Sequence, residues 1–157
     1  MRELDNAAVQ VIGSQFAGGG RDGDFAWMIE QSEYADALFV FNDNEEAFRA
    51  FQRDRTGGAG CSRGGGNAVI RPFRCADPPR AAGVPTGAHG HGYDRLTDDV
   101  KGVIDDAFDV IEELLGSGRY ARVFYSAGAG GGLGTGIFNV AGDVKAYIVD
   151  RLRALEG

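Results

Sequence analysis

Positive charge of the flexible kind is almost missing from this chain, which has two lysines against fourteen arginines. Acids outnumber bases 23 to 16, a net charge of −7, which argues against a general nucleic-acid or anionic-membrane binder. No apolar run approaches membrane-spanning length, and Met1 to Asn6 lacks the apolar core of a signal peptide, so no membrane partner is expected. Cysteine is confined to Cys61 and Cys75, fourteen positions apart and outside any CxxC pattern. That spacing indicates neither a zinc site nor a disulfide framework, and a reduced, cytoplasmic protein is the expectation. The two histidines, His89 and His91, form a His-x-His pair without a third ligand nearby, so no metal is expected. No residue pattern calls for a cofactor.

Glycine is what the chain has in excess: 26 of its 157 residues, clustered rather than periodic, which excludes a collagen-like fibre. The length suits one domain over residues 1–157 with a real core. The densest cluster follows the apolar run Arg122 to Ser126, where six of the eleven residues from Ser126 to Gly136 are glycine. A loop of this kind exposes backbone N–H groups and lets a ligand approach without Cβ interference. Between a strand end and a helix start it can hold phosphate. It carries no lysine, so it is not a P-loop, and none of its glycines satisfies GxGxxG. A second cluster spans Gly57 to Gly66, inside an arginine-rich stretch from Arg49 to Arg80 with a local charge of +5. Arg63, Arg71 and Arg74 are its candidate anion partners. A third, Ala17 to Gly23, satisfies GxGxxG at Gly18, Gly20 and Gly23, with Asp43 about twenty positions on. Arg21 and Asp22 in the tight turn weigh against a dinucleotide fingerprint.

Periodicity gives the order of elements. Ala8 to Ile12 reads as a strand, Asp24 to Gln31 as a short helix, and Ala35 to Phe41 as a strand buried on both faces. That strand ends in Asn42, Asp43 and Asn44, which can meet a ligand or cap the helix from Glu45 to Arg53. Asn67 is placed to cap one or two turns that Pro72 ends. Arg80 to Thr86 forms a strand, and Thr97 to Leu115 the best amphipathic helix, capped by Thr97, with its acids facing water. Asn139 to Leu155 forms the last helix. The alternation predicts an α/β fold: a three-layer α/β/α sandwich with a largely parallel central sheet.

Asn42-Asp43-Asn44, then Gly64-Gly65-Gly66-Asn67-Ala68-Val69-Ile70, and finally Tyr125 to Phe138 together resemble the two ligand loops of macrodomains. Gly83-Val84-Pro85-Thr86 is similar to a strand of compact macro-like proteins from bacteria and phages. The resemblance covers Ala35 to Leu155. It implies a site for ADP-ribose or a related ADP-ribosyl nucleotide, a cyclic signal included, as reader or sequestering protein, comparable to phage counter-defence proteins. Asn42, Asn44, Gly64, Gly65, Gly66, Asn67 and Arg71 would line one side. Ser126, Ala127, Gly128, Ala129, Gly130, Gly131, Gly132 and Phe138 would line the other. Two alternatives stand beside it. One is an ADP-ribosyl hydrolase with Asp43 as catalytic base, although no Gln-Glu-Glu motif accompanies either loop. The other is a structural or interaction protein whose glycines only close turns. A homo-oligomer is compatible with each.

Overall fold

A computed structural model describes residues 9–136 and 138–156. Four strands form one parallel sheet in the order β1 (Gln10–Ser14), β6 (Arg122–Ser126), β2 (Ala37–Asp43), β3 (Ala81–Pro85). A small antiparallel pair, β4 (Gly87–Ala88) and β5 (His91–Gly92), follows β3. The helices are α1 (Phe25–Met28), α2 (Glu45–Arg53), α3 (Asp98–Leu115) and α4 (Gly142–Ala154). Strand β2 is apolar and buried almost throughout because it lies inside the sheet with layers on both faces.

Successive strand residues feed opposite cores. Phe39, Phe41, Ala81 and Phe124 face a layer made of α1, the 3₁₀ turn Ser32–Tyr34 and the 3₁₀ segment Gly66–Cys75. There Phe39 stacks on Phe124 at 5.4 Å between ring centroids, while Phe25 meets Phe39 edge-on at 5.2 Å. Leu38, Val40, Ala82, Val84 and Val123 face α2, α3 and α4, whose Phe48, Phe108, Ile111, Val144 and Ile148 complete the larger core. The three-layer α/β/α sandwich with a parallel central sheet is therefore the architecture.

Several elements differ in extent from their sequence signals. The helix expected over Asp24 to Gln31 keeps four residues, then gives way to a 3₁₀ turn. The segment at Asn67 runs on through Pro72 to Cys75. Its 3₁₀ geometry tolerates the fixed φ of proline, and Pro72 only withholds one N–H. Helix α4 begins at Gly142, not Asn139: Ala141 is non-helical, with ψ 145°, and its N–H donates to the Tyr93 carbonyl. His89 and Gly90, with φ of 53° and 80°, form the turn between β4 and β5, where both central residues of a type I′ turn need positive φ. Cys61 and Cys75 are joined in a disulfide, with Cα atoms 5.9 Å apart, which corrects the expectation of two unpaired thiols. Folding brings the 3₁₀ turn Gly58–Cys61 against the end of the 66–75 segment, a proximity that spacing alone does not encode.

Candidate functional site at the carboxyl edge of the sheet

All four sheet strands run the same way, so Ser14, Ser126, Asp43 and Pro85 end at one edge. The chain leaving β1 enters the α1 layer, whereas the chain leaving its neighbour β6 enters the α4 layer. Adjacent parallel strands whose connections part to opposite faces leave a crevice between them, the usual ligand position in open α/β sheets. Loop 15–24 borders it on one side and loop 127–141 on the other.

Loop 127–141 is held to a definite shape at its base. Ala127 pairs with Leu133, both buried, and the Gly134 N–H donates to the Ser126 carbonyl at 2.9 Å. The Gly128 N–H donates to the Gly132 carbonyl at 2.8 Å, and Gly131 sits at φ 86°, a turn position that requires glycine. Underneath, the buried Tyr125 hydroxyl donates to the Gly131 carbonyl at 3.1 Å and accepts from Arg153. Among the described residues the N–H groups of Ala129, Gly130 and Gly132 have no intramolecular partner, and Gly130 to Gly132 face open space. They are free donors on a braced loop. Asn42 joins this side too, its Nδ2 donating to the Gly134 carbonyl at 2.6 Å.

On the other side Asn67 takes a role its position in the sequence does not announce. Its Oδ1 accepts from the Phe25 N–H at 3.1 Å, capping α1 in place of its own segment, and its Nδ2 reaches the Gly23 carbonyl at 3.4 Å. Asp24, which directly precedes α1, makes no capping bond and accepts instead from the Gly20 N–H at 2.9 Å. Gly23 in turn lies against the backbone of Gln15 and Phe16. Gly65 and Gly66, beside Asn67, border open space. Asn67 thus ties the second glycine cluster to the third, while Asn44 is spent on capping α2 through the Ala47 N–H at 2.8 Å.

Asp43 and Arg71 are buried and bound to each other. Arg71 donates to Asp43 Oδ1 at 2.9 Å and to the Ser62 carbonyl at 3.1 Å. Arg74 donates to Asp43 Oδ2 at 2.6 Å, to the Gly60 carbonyl at 2.7 Å and to the Ala47 carbonyl at 3.0 Å. The Asn44 N–H also reaches Asp43 Oδ1. With its side chain wholly enclosed and both oxygens occupied, Asp43 has no open face toward a water or substrate. Burial lowers the Arg74 pKa, and the neighbouring Asp43 carboxylate opposes that shift. The nominated binding role of Arg71 meets the same obstacle, since its guanidinium is already engaged. Gly64 lies over it, 2.7 Å from where a Cβ would meet Nη1. Much of the second glycine cluster thus accommodates this ion triad.

Phe138 projects into solvent at 52% exposure in the loop after β6, and Phe16 is exposed at 57% in the loop after β1. Phe138 was among the nominated residues, and the exposed ring of Phe16 is the feature that patterning missed. An open depression of about 480 Å³ adjoins Phe16, lined by Ala17, Gly20, Arg21, Asp22 and Trp27. Tyr34 donates to Asp22, one of the depression's lining residues, at 2.6 Å, a bond that with burial pushes the phenol pKa up to about 12. A separate cleft of about 230 Å³ beside β3 is lined by Phe51, Arg55, Arg74, Gly83 and Leu114; of the candidate anion partners it holds Arg74, whose guanidinium is already engaged by Asp43. His89 pairs with Glu46 at 3.2 Å, and no cluster of three metal-ligating side chains exists among the described residues.

Comparison with family models, curated proteins and solved structures gave no match. Functional reading therefore rests on the crevice itself and on the motifs it brings together.

No described helix is long and apolar enough to cross a membrane.

Proposed function

We propose that this chain binds ADP-ribose or a related ADP-ribosyl nucleotide in the crevice between β1 and β6, as a reader or a sequestering protein. One observation carries the reading: the free amides of Ala129, Gly130 and Gly132 stand on a braced loop at the point where neighbouring connections part. Backbone donors of this kind suit a diphosphate, which needs several hydrogen bonds and no fixed cation. Gly65 and Gly66, tied through Asn67 to Gly23 of the loop after β1, border open space, and the exposed rings of Phe16 and Phe138 offer apolar surface to a base or ribose. The macrodomain-like motifs supply the nucleotide's identity. Binding is favoured over hydrolysis because Asp43, the nominated base, is fully engaged with Arg71, Arg74 and the Asn44 amide.

Isothermal titration with ADP-ribose, cyclic ADP-ribose and NAD tests the reading. Saturable heat at one ligand per chain is expected for at least one of them. Gly132→Glu is the companion variant: its side chain enters open space, so the fold is kept, while its carboxylate repels a diphosphate. A loss of at least tenfold in affinity is expected. No heat with any of the three ligands overturns the proposal.

A further inference from the structure

We infer that the Ser14 hydroxyl is a ligand-binding group that donates to a phosphoryl oxygen of the bound nucleotide. This rests on the reading above and adds a residue that neither glycine motif contains. The buried polar side chains of the described chain are Ser14, Asp43, Arg71, Arg74 and Thr86. Four of them are satisfied: Asp43 by the two arginines, each arginine by Asp43 and backbone carbonyls, and Thr86 by donating to the Asp43 carbonyl at 3.2 Å. Ser14 is 8% exposed, and its hydroxyl has no partner among the described residues. A buried hydroxyl normally finds one, and the exceptions call for an explanation.

Its position supplies that explanation. Ser14 is the last residue of β1 and pairs in register with Ser126, the last residue of β6. Register partners in a parallel sheet point to the same face, about 4.8 Å apart. The Ser14 carbonyl accepts from the Ala127 N–H at 3.1 Å, so Ser14 anchors the base of the loop that carries the free amides. On its other side the next residue, Gln15, touches Gly23, which is tied to Asn67 beside Gly65 and Gly66. Ser14 therefore sits at the root of the crevice, at the base of the loop that carries the free amides. A hydroxyl there lacks only an incoming acceptor, and phosphoryl oxygens are the acceptors that those amides select.

Ser14→Ala tests the inference, with thermal stability and affinity measured for ADP-ribose, ADP and adenosine. In the free protein the variant is expected to melt at or above the wild-type temperature, since it removes a hydroxyl with nothing to bind. Affinity for ADP-ribose and ADP is expected to fall about tenfold, with adenosine unaffected. A lower melting temperature of the free variant would mean that the hydroxyl was already satisfied, and would overturn the inference. So would unchanged affinity for ADP-ribose beside intact wild-type binding, which leaves the nucleotide reading standing. An equal loss for adenosine moves the contact to the nucleoside and overturns the phosphoryl assignment. Absence of wild-type binding removes both.

Discussion

Two guanidinium groups and one carboxylate are buried together at Asp43, and the burial is affordable only because every donor and acceptor is used. Arg74 also lies over the Phe51 ring at 4.6 Å and the Phe41 ring at 5.4 Å, which lends its cation further stabilisation. Removing the carboxylate leaves two buried cations facing each other. Asp43→Asn is expected to lose about 3–5 kcal/mol in urea denaturation. Gly83 makes room for the triad: a Cβ there would meet Arg74 Nη1 and Asp43 Oδ2 at 2.7 Å and Phe41 at 2.8 Å. Gly83→Ala is expected to cost about 1–3 kcal/mol by the same measurement. Tyr34 gives a pH signature. Its folded pKa of about 12 exceeds the ordinary value near 10, so the folded state holds the phenolic proton more tightly. The stability from its bond to Asp22 is complete below about pH 10 and is lost as pH rises through about 12. The wild type should therefore exceed Tyr34→Phe in stability by a constant margin at neutral pH, and that margin should close over those two units.

Among the elements, the segment from Gly57 to Cys75 owes its shape to cross-links more than to propensity. Its glycines and Pro72 disfavour regular helix, and it forms 3₁₀ turns fastened by the Cys61–Cys75 disulfide, by Arg71 to Ser62 and by Arg74 to Gly60. The disulfide closes a ring that contains Gly64 to Asn67, one side of the proposed site. A ring of this size is worth about 3 kcal/mol through the unfolded state. Cys61→Ser with Cys75→Ser is expected to lower stability by that amount, and the wild type under full reduction should fall to match it. Helices α2 and α3 were legible because each carries its own cap and stripe: Asn44 and Thr97 accept from Ala47 and Val100 as expected. At α1 the N-terminal cap is not local: Asn67, 42 residues away, supplies it.

At the scale of the molecule, one sheet serves two cores. Because β2 and β6 give alternate residues to each layer, stripping either layer exposes the other face of the same strands, so unfolding should be a single transition. Ile104→Ala, wholly buried in the α3 layer, is expected to cost about 2–5 kcal/mol. Trp27 packs against the opposite core, and it is the chain's one tryptophan. Its fluorescence should shift at the same denaturant concentration as the far-ultraviolet circular dichroism, in wild type and variant alike. Two separated midpoints would show that the layers unfold independently.

By itself the sequence determined the alternation of strand and helix, the parallel three-layer class, the caps of α2 and α3, and the loop after Ser126. These depend on hydrophobic period and on neighbours within a few residues, which a linear reading contains. Tertiary structure decided what the isolated residues do. Asp43 and Arg71, nominated for a ligand, became each other's partners because β2 and the 66–75 segment pack on one face. Cys61 and Cys75 met because two turns dock. Ser14, unremarkable at the end of a short strand, gained its place beside Ser126 only when a strand from the far end of the chain was inserted between β1 and β2. Side-chain roles depend on which groups share a buried volume, and that is set by pairings between residues 14, 28 or more than a hundred positions apart.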